Sequence, residues 1–120
     1  MKHVLVGEDR AVSREFLRIA LESSGYSVLE ASDGLEAVRI ARQMEPDLIL
    51  LDLQMPVLDG FGALEQLRAD PRFASVPIVA VTANAMHGDR EKALAAGFTG
   101  YLSKPVTLAV LREALARLLP

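Results

Sequence analysis

The sequence predicts an α/β fold built on one parallel sheet. Short runs rich in β-branched and large aliphatic residues alternate with longer stretches of helical spacing. Runs this apolar and this short suit strands covered on both faces, as in a parallel sheet. Five such strand–helix pairs fit within 120 residues, enough for one core and too few for two.

The elements follow in order. Residues 3–7 (HVLVG) read as the first strand, and in 11–24 Val12, Phe16 and Ile19 recur at helical spacing, as do Leu17, Ala20 and Leu21. A second strand, 26–31 (YSVLEA), precedes a helix over 34–44, with Asp33 as N-cap and Glu36 completing a variant of the capping box. The third strand, 47–51 (DLILL), runs into Asp52. After an Asp59-Gly60 turn, a helix over 58–69 carries Phe61, Leu64 and Leu67, and Pro71 stops it. The fourth strand, 76–81 (VPIVAV), runs into Thr82, and a helix over 86–96 ends at Gly97, a C′ glycine. The fifth strand is 98–102 (FTGYL). The last helix, 107–119, is capped by Thr107 and has Leu108, Leu111, Leu115 and Leu118 on one face. The longest irregular stretch is 69–75, with no repeat and no linker, so one domain over 1–120 with right-handed crossovers is expected, without an attached output domain.

Composition excludes several classes. There is no Cys, so disulfides, thiolate catalysis and Cys-based zinc sites are out. The net charge is −3 and no basic stripe or aromatic interleaving appears, which argues against nucleic-acid binding. No apolar run is long enough to span a bilayer or to serve as a signal peptide, and a cytosolic location is expected.

The chemistry collects after the strands. The first ends in Glu8-Asp9, the third in Asp52, the fourth in Thr82, and the fifth is followed by Lys104-Pro105. In an open α/β sheet the binding crevice lies outside the carboxyl ends of the strands. Three carboxylates, a hydroxyl and an ammonium therefore converge on one edge. At a separation of about 5 Å and an effective dielectric of about 20, each carboxylate pair costs roughly 3 kcal/mol. Lys104 offsets part of this, and an all-oxygen donor set suits Mg²⁺. A phosphoryl group could then bridge Asp52 and the metal, with its oxygens met by Lys104, Thr82 and nearby backbone N–H groups. Each residue alone has an ordinary explanation: Asp52 as a loop cap, Glu8-Asp9 as the start of a helix, Thr82 as a strand end, Lys104 as a surface lysine, Tyr101 as packing. Their convergence makes the functional reading.

Four segments, VLVGED at 4–9, DLILLDLQMPVLDG at 47–60, PIVAVTANAM at 77–86 and AAGFTGYLSKP at 95–105, resemble the receiver (response-regulator) domains of two-component signalling. The resemblance spans essentially the whole chain. It implies a flavodoxin-like (βα)₅ three-layer sandwich with strand order 2-1-3-4-5. It implies that Asp52 is the phosphoacceptor, fed by a histidine kinase or histidine phosphotransfer protein. Asp9, Asp52 and the backbone carbonyl of Gln54 would bind Mg²⁺ directly, and Glu8 mostly through water. Thr82, the Ala83 backbone and Lys104 would hold the phosphoryl group, with Pro105 shaping the loop. Thr82 and Tyr101 would form the switch pair, and Gln54 and Asn84 would tune the lifetime of the acyl phosphate. The donor would dock near Val12, Arg14, Phe16, Met55, Pro56 and Pro105. A downstream protein would read the fourth helix, fifth strand and fifth helix. His3 and His87 would be bystanders.

Two positions depart from the family pattern. Arg10 stands where a small polar residue is frequent and could screen the metal. Gly7 stands where a β-branched residue is common and could loosen the first strand. An aspartate-nucleophile phosphatase is the competing enzyme reading, but it needs an acid where Gln54 stands. A module that docks without phosphorylation is another alternative. Nucleotide binding lacks a Gly-rich loop after the first strand.

Overall fold

A computed structural model describes residues 1–83 and 88–120. Strands β1 (His3–Gly7), β2 (Ser27–Ala31), β3 (Leu48–Asp52), β4 (Ile78–Thr82) and β5 (Gly100–Ser103) form one sheet in the order β2-β1-β3-β4-β5. All four neighbouring pairs are parallel. The flavodoxin-like order implied by the resemblance is the order observed.

Helices α1 (Ala11–Ser23), α2 (Gly34–Met44), α3 (Gly60–Arg68), α4 (Asp89–Ala96) and α5 (Leu108–Leu118) cover both faces. Strand side chains alternate between two cores. Leu5, Ile49, Leu51 and Ile78 pack with Val38, Leu64 and Ala93 under α2, α3 and α4. Val4, Val6, Leu50 and Val79 pack with Leu17, Leu21, Leu111 and Leu115 under α1 and α5. The inner strands β1, β3 and β4 are buried on both faces and read apolar, whereas the edge strand β2 is half-buried and carries the exposed Glu30.

The local signals act as expected. Asp33 Oδ1 accepts from Glu36 N at 2.7 Å, and Glu36 reaches back to Ser32 N at 2.9 Å. Thr107 Oγ1 accepts from Val110 N at 3.2 Å, and Gly97 closes α4 at φ 119°. The helix expected over 58–69 begins at Gly60, because the Asp59 side chain caps it through Gly62 N at 2.8 Å. The 69–75 stretch contains a 3₁₀ turn, Pro71–Phe73, capped by Asp70. The fourth helix starts at Asp89 rather than 86; Met86 and His87, like Asn84, lie outside the described residues. The fifth strand is displaced to Gly100–Ser103, since Phe98 serves the core as a buried residue ahead of the strand. Gly7 does not loosen β1: it is paired on both sides, and the Leu51 side chain fills the space its own would take.

Candidate functional site

The carboxyl ends of β1, β3 and β4 and the segment after β5 meet at one edge of the sheet. Glu8 is only 1 % exposed and Asp52 7 %, while Asp9 is exposed. One carboxylate oxygen from each lies within 4.8 Å of the others. Such close, hard, anionic donors fit a divalent cation of the Mg²⁺ kind.

Lys104 reaches this cluster from across the sheet. Its Nζ lies 2.6 Å from Asp52 Oδ2 and also contacts Glu8 Oε1. Its backbone N donates to Thr82 O at 2.8 Å, tying the β5 loop to β4, and the Lys104–Pro105 peptide is cis. Burial pushes the Glu8 carboxyl above its ordinary pKa and Asp52 adds to this, outweighing the Lys104 contact and the Arg10 N–H. Burial works against the Lys104 ammonium, but hydrogen bonds to Asp52 and Glu8 outweigh it, so its pKa rises.

Backbone groups fix the rest. Gln54 N donates to Asp52 Oδ1 at 2.8 Å, which orients the carboxylate from the β3–α3 loop. The start of α3 presses against that strand end: a Cβ on Gly60 would stand 2.4 Å from Asp52 O. Thr82 is buried and Ala83 exposed at the end of β4.

The Arg10 guanidinium makes no ion pair with the acids among the described residues. The Arg10 backbone N donates to Glu8 Oε2 at 3.2 Å, but the side chain is exposed. Arg14, three residues into α1's first turns, was not foreseeable as a support of the site. Its Nη1 donates to Glu8 O at 2.9 Å and its Nε lies 3.5 Å from Glu30. No local motif signals a contact that depends on how α1 lies over the sheet.

Tyr101 is half-buried against the α2–α3–α4 core. Its hydroxyl is buried and meets no hydrogen-bond partner among the described residues. Burial raises its pKa, Asp89 and Glu91 add to the rise, and the nearby Ser103, outside hydrogen-bond geometry, opposes it.

The fold and this edge define a class: a doubly covered parallel α/β domain with an acidic, lysine-bridged cleft at its strand ends. The family profile of the response regulator receiver domain matches residues 4–116. The chain is 38 % identical over 107 residues to the polar-differentiation response regulator DivK of Brucella anthropi, covering 89 % of this chain and 87 % of that protein. It is also similar to the receiver domain of sensor histidine kinase PA1611 of Pseudomonas aeruginosa, solved with magnesium coordinated in its active-site cleft. That match has a TM-score of 0.91 and 43 % identity, over 98 % of this chain and 96 % of the other. The chemotaxis response regulator CheY4 of Vibrio cholerae superposes with a TM-score of 0.92 at 32 % identity, over 99 % of each chain. The chain belongs to the response regulator receiver domain family and is thus a receiver of two-component signalling. No helix among the described residues is long and apolar enough to cross a membrane.

Proposed function

We propose that residues 1–120 form one receiver domain that accepts a phosphoryl group on Asp52 from a partner phosphohistidine. The observation that carries this is the clustering of the Glu8, Asp9 and Asp52 carboxylates within 4.8 Å, with Lys104 Nζ 2.6 Å from Asp52. An Asp52 oxygen attacks phosphorus, the P–N bond breaks, and the imidazole nitrogen keeps the electron pair and takes a proton from solvent. Asp9, Asp52 and the Gln54 carbonyl would hold Mg²⁺ directly and Glu8 through water, and the ion would supply charge neutralisation for the transferring oxygens. Lys104, the Thr82 hydroxyl and the Ala83 N–H hold those oxygens, and Pro105 shapes the Lys104 loop.

The output is a change of shape. Thr82 moves toward the phosphoryl group and the Tyr101 ring follows inward, altering the α4, β5 and α5 surface that a downstream protein reads. The donor, a histidine kinase or histidine phosphotransfer protein, approaches along α1, where Val12 is 83 % and Phe16 45 % exposed. The domain assists its own phosphorylation without turning over a separate substrate, and it works in the cytoplasm.

The test is chemical. With Mg²⁺ and acetyl phosphate the protein gains one phosphoryl mass, and Asp52→Ala does not. No mass gain in the parent protein, or an equal gain in the variant, would overturn the assignment.

A further inference from the structure

Arg10 is a cation without a side-chain partner among the described residues, placed beside a site with excess negative charge. Its neighbours on α1 are engaged: Arg14 lies 3.5 Å from Glu30 and Arg18 2.8 Å from Glu22. The Arg10 guanidinium makes no ion pair or hydrogen bond among the described residues. Its backbone is nevertheless fixed on both sides. The N–H donates to Glu8 Oε2 at 3.2 Å, and the carbonyl accepts from Arg14 N at 2.9 Å. The root of the side chain is thereby held beside the acid cluster while its head pairs with nothing among the described residues.

Arg10 lines a groove of about 540 Å³ between α1 and the segment after β5. Val12, Phe16, Pro105 and Val106 form apolar walls, and Lys104 lies at the end where its Nζ meets Asp52. Three carboxylates face a single ammonium there, so even with a divalent cation bound the cleft would carry no surplus positive charge to draw in a doubly charged donor. A further cation at the groove wall supplies that attraction along the path of approach.

We propose that Arg10 is a specificity-determining residue for the phosphoryl donor, drawing dianionic phosphoryl groups toward Asp52 in preference to monoanionic ones. The inference rests on the Asp52 reading above. With acetyl phosphate, the Asp52 O–P bond forms, the P–O bond to the acetyl group breaks, and acetate leaves with the electron pair. Arg10 touches neither bond; it acts on the encounter.

The experiment compares the full chain with Arg10→Ala and Arg10→Lys at saturating Mg²⁺. Initial phosphorylation rates are measured with acetyl phosphate, a dianion at neutral pH, and phosphoramidate, chiefly a monoanion. At low ionic strength Arg10→Ala lowers the second-order rate with acetyl phosphate about three- to tenfold, and Arg10→Lys restores most of it. The loss with phosphoramidate is less than about twofold, and both differences vanish near 1 M salt, where the screening length is about 3 Å. Mg²⁺ titration of Arg10→Ala shows undiminished affinity, separating the effect from metal loss. Equal losses with both donors, a loss that persists at high salt, or no loss at all would overturn the proposal. If the parent protein accepts no phosphoryl group from either donor, the Asp52 reading falls, and this one with it.

Discussion

At the scale of single residues, the β3–α3 loop holds a conformation that its sequence does not favour. Val57 has φ 68°, and Leu58 N donates to Pro56 O at 2.7 Å, the i→i+2 bond of a γ-turn. A β-branched residue in that region carries strain of about 1–3 kcal/mol. Val57 is 78 % exposed, so its side chain returns little burial energy. Val57→Gly should therefore relieve the strain at an unfolded-state entropy cost of about 0.5–1 kcal/mol. The expected net gain is up to about 2 kcal/mol, read as a higher urea midpoint at unchanged slope. A lower midpoint would show that the turn is held without strain. The sequence gives no sign of this turn, because Pro56-Val57 has no positive-φ residue type. The acids were legible for the opposite reason: a charge at the end of an apolar run has only the sheet edge to occupy.

Between elements, Arg68 at the end of α3 joins three segments distant in sequence. Its guanidinium donates to Phe73 O at 2.6 Å, Val76 O at 2.9 Å, Gly97 O at 3.1 Å and Thr99 Oγ1 at 3.1 Å. Burial lowers its pKa, as expected for a cation held by carbonyls and a hydroxyl rather than a carboxylate. Only a planar fork can serve acceptors on both sides at once. Arg68→Ala leaves several partly buried carbonyls unsatisfied and should cost about 2–4 kcal/mol in denaturant unfolding. Arg68→Lys should recover less than half, and a full recovery would mean that charge, not geometry, matters. Nothing in the local pattern marks Arg68, since its partners lie up to 31 residues away. The helix caps Asp33, Asp59 and Thr107 were readable or nearly so, because a cap and the N–H that donates to it are three residues apart. Element boundaries slipped where a residue serves the core outside its element, as Phe98 does before β5.

For the whole molecule, stability and the cleft pull against each other. The two apolar cores favour a tight sheet, and closing that sheet brings Glu8, Asp9 and Asp52 within 4.8 Å. Lys104, 96 residues from Glu8 in sequence, is the only cation among the described residues paired with the carboxylates of the cluster. The repulsion left over is a cost of folding that a divalent cation removes. Asp52→Asn deletes one charge and keeps an oxygen for the Gln54 N–H, so without divalent metal it should be more stable than the parent by about 1 kcal/mol. Adding Mg²⁺ should stabilise the parent by about 2.7 kcal/mol at a hundredfold excess over Kd. The same Mg²⁺ should do much less for Asp52→Asn, so the order of melting temperatures reverses between EDTA and saturating Mg²⁺. Melting curves of both proteins in both conditions decide this. An Asp52→Asn protein less stable in EDTA would mean that the Lys104–Asp52 contact outweighs the repulsion among the acids. The domain would then be poised by an ion pair rather than by a charge deficit awaiting metal and phosphoryl group.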